Sequence, residues 1–345
     1  MTEFPGVSYV MPVLNEADYL EEAVNSILTQ DYDGEKELVI ALGPSTDNTD
    51  VVARRLADED ARITLVDNPK GRTPIALNLA IKESIHPIIM RVDAHSELPS
   101  NYTRRGVETL YRVGAHDVGG LMDARGRTPV QRAIAAAYHS KFGFGGPAYH
   151  SGAPEGEAES AYLGIFRREV FDEVGFYDEN MWRAQDWELC LRIRQAGHKV
   201  WFDPELKVGY YPRDTFKALA RQSYASGTWR GEIARRFPEG KSLRHDIPPL
   251  LLAGVSLGSV ALAVAPFTRN HAPRPVQALI NVAASAPLVY VAATVAAGLT
   301  SKGEGIKEKL LTAGAFQSIH LPWAAGYLKG RIFGAAGTLD KGRVK

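Results

Sequence analysis

Asp93 and His95 stand two residues apart where an apolar run ends, in Ile88-Ile89-Met90-Arg91-Val92-Asp93-Ala94-His95-Ser96-Glu97-Leu98-Pro99. A carboxylate and an imidazole at that spacing either finish a strand in a polar turn or present oxygen and nitrogen ligands to a cation. Upstream, Asn68-Pro69-Lys70-Gly71-Arg72-Thr73-Pro74 places two cations around a glycine just before a helix start. A glycine-permitted turn, two cations and free amides make an anion site. The other reading of the same residues is a basic surface loop.

The elements that must position these residues follow from the apolar pattern. Residues 6–15, 36–45, 62–69 and 87–96 read as strands with polar ends, and helical stretches at 16–30, 46–60 and 73–84 alternate with them. Leu20, Val24, Ile27 and Leu28 fall on one side of the first helix. Strands alternating with helices predict a parallel sheet with helices on its faces. Ligands of such sheets sit beyond the carboxyl ends of the strands. Asn15-Glu16, Gly43 to Asp47, Asp67-Asn68 and Asp93 to His95 are therefore expected to converge on one crevice. No GxGxxG follows the first strand and no GxxxxGK[ST] occurs, which argues against a dinucleotide fold and a P-loop.

Bulk properties bound the reading. The chain of 345 residues has 40 basic and 40 acidic residues, so no overall charge points to nucleic acid. A single cysteine, Cys190, excludes an internal disulfide and a cysteine zinc cluster. The N-terminus lacks the basic start and apolar stretch of a signal peptide, so the N-terminal part is expected in the cytoplasm. After Asp246 the composition changes. Residues 247–267 and 276–300 carry no charge, and each is long enough to cross a bilayer as a helix. A third stretch, 310–327, is apolar apart from Gln317, His320 and Pro322, and either spans or lies in the interface. The expected organisation is a catalytic domain over 1–245 and a hydrophobic helical membrane region over 246–345.

Five motifs then occur in order: PVLNE, STDNT, KGRTPIALNLAI, VDAH and QDWELCLRIRQAG. Together, over roughly residues 5 to 240, they resemble the family 2 glycosyltransferases of the GT-A fold. FGFGGPAYHSG, GIFRREVFDEVGFYDE and IHLPWAAGYLKG narrow the likeness to the membrane-associated ExoA-like enzymes of bacterial polysaccharide assembly. The resemblance implies a Rossmann-like α/β fold, mostly parallel, followed by apolar helices. It implies a nucleotide-sugar donor, UDP-glucose being the default, and a Mn2+ or Mg2+ cofactor. The acceptor is a saccharide or a polyprenyl-linked saccharide, and the enzyme sits at the cell membrane with its catalytic domain in the cytoplasm.

The resemblance also assigns residues. The family's Asp-x-Asp falls on Asp93 and His95, so Asp93 faces nucleotide and metal. His95 replaces the second aspartate, and histidine suits manganese better than magnesium. Asp186 falls on the general base, which an acceptor hydroxyl needs in order to attack; its other reading is a helix cap. Glu188 and Arg192 then pair at i, i+4. Pro12, Val13, Asn15 and Glu16 contact the nucleotide, although Glu16 also suits the first turn of a helix. Asp47 is either a nucleotide contact or a cap. The acidic pair usual before it is missing, since the chain has Leu42-Gly43-Pro44 there. Lys70 and Arg72 take the diphosphate, and Asn78 is structural. His150, Glu159 and Trp229 are assigned to the acceptor and Arg230 to the diphosphate. Processive relatives carry Gln-x-x-Arg-Trp, whereas here Gln222 is followed at longer spacing by Trp229-Arg230. That departure favours transfer of one sugar, and a single base with a single displacement makes the enzyme inverting. Two rivals remain: a sugar nucleotidyltransferase, and a non-catalytic membrane scaffold that keeps the fold.

Overall fold

β1 (Val7–Val13) is buried at every position but Pro12. A strand apolar on both faces belongs in the middle of a sheet covered by helices on each side. The computed structural model describes residues 4–143, 149, 153–238 and 245–338. They fall into two compact units, 4–124 with 149 and 153–210, and 125–143 with 211–338. After β1 the elements run α1 (Leu20–Leu28), β2 (Lys36–Leu42), α2 (Thr49–Glu59), β3 (Ile63–Asp67), α3 (Thr73–Glu83), β4 (Ile88–Arg91), α4 (Tyr102–Arg112), β5 (Asp117–Ala124), α5 (Pro129–Tyr138), β6 (Gly156–Glu157), β7 (Ile165–Arg167), α6 (Glu169–Val174), α7 (Gln185–Gln195) and β8 (Val200–Tyr210). The chain continues with α8 (Phe216–Arg236), α9 (Ile247–Thr268), α10 (Arg274–Leu299) and α11 (Gly305–Phe333).

The first unit is built on a sheet of order β3-β2-β1-β4-β7-β5-β8-β6. The four leading strands are parallel, as the alternation of strand and helix predicts. β7 then runs antiparallel between β4 and β5, and β5 pairs parallel with β8. Side chains alternate between faces with period two. Val7, Tyr9, Met11 and Val13 meet Leu20, Val24 and Ile27 of α1 on one face. Val10, Val39 and Ile89 meet Leu77 and Ile81 of α3 and Leu189 and Ile193 of α7 on the other. α3 carries Pro74 in its first turn, where the missing N–H costs nothing.

In the second unit, α8 and α11 cross where glycines face each other. A Cβ on Gly227 would stand 2.0 Å from the Trp323 carbonyl oxygen, and one on Gly330 would stand 1.8 Å from that of Thr228. Gly231 and Gly326 make the same close approach. Both helices thus present glycines four residues apart, which lets backbones meet. α8 lies upstream of residue 245, so the unit formed by packing begins earlier than the change in composition. The third apolar stretch lies within α11, where Phe316, Ile319, Ala324 and Tyr327 are buried. Its polar residues are used inside this unit: His320 Nε2 lies 2.8 Å from the Phe142 carbonyl oxygen and Gln317 donates to Thr294 at 2.9 Å. Among the described residues two helices, α9 and α10, are long and apolar enough to cross a membrane. α9 leaves Leu250, Leu257, Val260 and Phe267 exposed.

Candidate active site

The polar strand ends converge as their topology requires, and they pair with one another. Asn15 follows β1 with φ of 56°, a left-handed conformation that asparagine tolerates better than most residues. Its amide donates to Ser45 Oγ at 3.1 Å, and its Oδ1 accepts from the Thr46 amide at 2.7 Å. The next amide, Glu16 N–H, donates to Thr49 Oγ1 at 2.8 Å. Asp47 accepts from the amides of Thr49 at 3.0 Å and Ala17 at 3.3 Å. Burial raises its pKa, but these hydrogen bonds prevail and hold the carboxyl below the usual aspartate value. Asp47 therefore joins the start of α2 to the loop after β1.

The third strand end supplies the loop before α3. Asn68 is buried, its amide donating to Leu42 O at 2.7 Å, and Gly71 turns the chain with φ of 60°. Lys70 and Arg72 are exposed on either side. The Arg72 guanidinium lies 4.1 Å from the centre of the Trp182 ring, which brings it to the segment leading into α7. Asn78 exchanges two hydrogen bonds with the backbone of Tyr177, at 2.9 and 3.0 Å, and so ties α3 to the same segment.

At the end of β4 the strand delivers an arginine as well as an aspartate. Arg91 and Asp93 share a face because they are two residues apart. Arg91 Nη2 and Nε donate to Asp93 Oδ1 at 3.0 and 3.2 Å, while Nη1 donates to Asp186 Oδ1. Arg91 is 7% exposed. Burial disfavours its charge, but Asp186 and Asp93 outweigh that and hold its pKa well above the usual arginine value. Asp186 lies in the first turn of α7, behind Ala184, whose φ is 58°. No side chain caps α7, so Asp186 spends its Oδ1 on Arg91 and not on the helix end. Glu188 and Arg192 form the expected pair at 2.7 Å. Arg192 also reaches the carbonyl oxygens of Gly175 at 3.1 Å and Phe176 at 2.8 Å, which pins α7 to the end of α6.

His95 lies one turn beyond Asp93. Its Nδ1 is 3.0 Å from Oε1 of the buried Glu16. This pairing fixes the ring and leaves Nε2 as its other ligating atom, the arrangement typical of a metal-binding histidine held by a carboxylate. Among the described residues no three histidine, cysteine, aspartate or glutamate side chains gather into a metal cage. A divalent cation bound mainly through substrate phosphates needs only one or two protein donors, the number that Asp93 and His95 could offer.

Pro12 and Val13 are the last two residues of β1, with Val13 O accepting from Gly43 N at 2.8 Å. Glu159 is an exposed residue of the first unit, and His150 lies outside the described residues. Trp229 and Arg230 belong to the second unit. Trp229 is 4% exposed and donates to Thr338 O at 3.1 Å. Arg230 donates to His245 Nε2 at 3.2 Å. The residue that sequence reasoning passed over is Arg91. Its signal was present: one charge inside an otherwise apolar strand, in phase with Asp93.

A strand-end crevice with an aspartate delivered by β4 and a second carboxylate from a downstream helix is the GT-A arrangement, and the chain belongs to glycosyl transferase family 2, whose model matches residues 8–175. It is a glycosyltransferase. It is 33% identical over 322 residues, 92% of each chain, to the succinoglycan biosynthesis protein ExoA of Rhizobium meliloti (strain 1021). A dolichyl N-acetyl-alpha-D-glucosaminyl phosphate 3-beta-D-2,3-diacetamido-2,3-dideoxy-beta-D-glucuronosyltransferase of Methanococcus voltae is 23% identical over 239 residues, 67% of this chain and 74% of that one. The fold matches a mannosyltransferase of Pyrobaculum calidifontis, solved in complex with GDP-Man and Mn2+, with TM-score 0.61 and 19% identity over 96% of this chain and 88% of that one. Family membership sets aside the nucleotidyltransferase.

Proposed function

We propose that the chain moves one sugar, with inversion, from a nucleoside diphosphate sugar to a hydroxyl of a saccharide in cell-surface polysaccharide or glycolipid synthesis. The observation that carries the reading is the meeting of Asp93 and Asp186 on one buried arginine at the mouth of the sheet. Asp186 takes the proton of the acceptor hydroxyl as it attacks the anomeric carbon. Its Oδ1 is held by Arg91, and Oδ2 is the oxygen offered to the hydroxyl. One base and one displacement invert the anomeric centre. Asn15, Glu16, Pro12, Val13 and Asp47 line the nucleotide end of the crevice. Lys70 and Arg72, beside the start of α3, face the diphosphate. Asp93 and His95 hold Mn2+ or Mg2+, which when bound neutralises charge on the diphosphate leaving group.

UDP-glucose is the favoured donor, as the family resemblance of the motifs implies. The acceptor reading is a saccharide carried on a polyprenyl diphosphate, supported by the apolar α9 and α10. These helices would keep the catalytic unit at the cytoplasmic face of the membrane, with the catalytic region ending near residue 245 and the membrane region following it. The test is a panel of labelled nucleotide sugars offered to membranes containing the protein, with and without Mn2+, scoring transfer to lipid and hydrolysis separately. Manganese-dependent label in the lipid fraction from one donor supports the reading. Equal transfer to a short soluble sugar by protein that needs no detergent would remove the lipid-linked acceptor.

A further inference from the structure

We propose that Arg91 is a positioning residue that links cation loading at Asp93 to the hold on Asp186. This deepens the function proposed above and rests on its assignment of Asp93 to the cation. One planar guanidinium, buried and fully charged, is shared between two carboxylates that the chain supplies from β4 and α7. Nε and Nη2 serve Asp93, and Nη1 serves Asp186. A cation on Asp93 draws on the same carboxylate and repels the guanidinium, so the arginine's hold passes toward Asp186. The base is then gripped most firmly when the donor site is loaded.

Coupling of this kind is reciprocal. Removing the charge of Asp186 lets Arg91 settle wholly on Asp93, where it competes with the cation. Asp186→Asn therefore weakens cation binding although Asp186 is not a ligand. Losing a nearby negative charge also weakens a cation site directly, but that effect does not need Arg91. The two are separated by repeating the substitution without the arginine.

The experiment is a double-mutant cycle on the full chain in detergent with saturating UDP, whose diphosphate supplies the phosphate ligands, reading Mn2+ affinity from the spin resonance of free Mn2+ against a protein-free UDP blank, with no acceptor and no turnover. In the wild-type background Asp186→Asn is expected to weaken Mn2+ by about fivefold or more. Arg91→Gln alone is expected to tighten it, and in that background the effect of Asp186→Asn shrinks to its direct part. Arg91→Lys provides the second route if the glutamine variant does not fold. A lysine keeps the charge but cannot span both carboxylates, so the Asp186 effect shrinks there too. An Asp186→Asn effect of equal size in all backgrounds overturns the link and leaves the proposed function standing. Absence of Mn2+ binding by the wild type overturns the cation assignment and the link together.

Discussion

Glu16 Oε1 and His95 Nδ1 stand 3.0 Å apart, joining the loop after β1 to the loop after β4. A histidine merely ending a strand has no need of a buried carboxylate behind it. The pair orients Nε2, which is how an outer carboxylate strengthens a metal ligand. Glu16→Gln is therefore expected to raise the Mn2+ concentration for half-maximal transfer by about 10-fold or more, with the rate at saturating Mn2+ little changed. Superimposable Mn2+ titrations for variant and wild type would take His95 out of the cation site.

Asp186 has one oxygen on Arg91 and sits where α7 begins. Asp186→Asn keeps the size of the side chain and removes its ability to accept a proton. At saturating Mn2+ and donor, the transfer rate should fall by about 10²–10⁴-fold, while nucleotide binding persists. Stopped assays for transfer alongside a nucleotide-binding titration decide the matter. Full transfer by the variant would mean that another group is the base.

The first four strands were legible because each is a buried apolar run ending in polar residues, and their order along the chain dictates parallel pairing. Asp93 and Asp186 stood out as candidates through motif order. β7 was not, because a three-residue strand in an antiparallel slot shows no period. Arg91 was hidden for another reason. A charge in a strand gives no hint of its partner when that partner is Asp186, far along the chain. The facing glycines of α8 and α11 were missed likewise, since each half of the pair is unremarkable alone. His95 was legible as a candidate, but its support came from Glu16, whose acidic position near a helix start suggested a role in the helix dipole.

Those glycines give a stability prediction. Gly330→Leu would push a side chain into the Thr228 carbonyl at the point where a Cβ already stands 1.8 Å away. The backbones must part or the helix must turn, and overpacking of this kind costs about 1–3 kcal/mol. Thermal unfolding in detergent should show a clearly lowered midpoint. A control at Gly254, whose Cβ would meet nothing within 4 Å, should change little. Equal midpoints for the two variants would show that α8 and α11 do not depend on this approach.

Membrane attachment gives a third kind of outcome. Leu257 lies mid-way along α9 and is 69% exposed. An arginine at the centre of a spanning helix costs roughly 2.5–3.5 kcal/mol. Leu257→Arg should thus reduce the share of protein retained by membranes after alkaline washing, whereas Leu257→Phe should not. Identical retention of the arginine variant would argue that α9 does not span.

Asp117 opens β5 with no exposed surface, and its Oδ2 accepts from the Cys190 thiol of α7 at 3.2 Å. Burial pushes its carboxyl up to about 8, against an ordinary value of 3.8, with the Cys190 hydrogen bond working the other way. Between those two values the folded chain holds a proton that the unfolded chain releases. Stability is therefore full below the lower value and falls as pH rises toward the upper one. Asp117→Asn keeps an acceptor for Cys190 and removes the titration. From about pH 5 to about pH 8, inside the window where only the unfolded chain has released this proton, the wild-type unfolding midpoint should drop more steeply than that of the variant. His116, stacked on His198 at 3.8 Å, titrates in both and cancels in the comparison. Parallel pH profiles for the two proteins would mean that Asp117 is ionised in the folded state, and that the packing of α7 on β5 tolerates a buried charge.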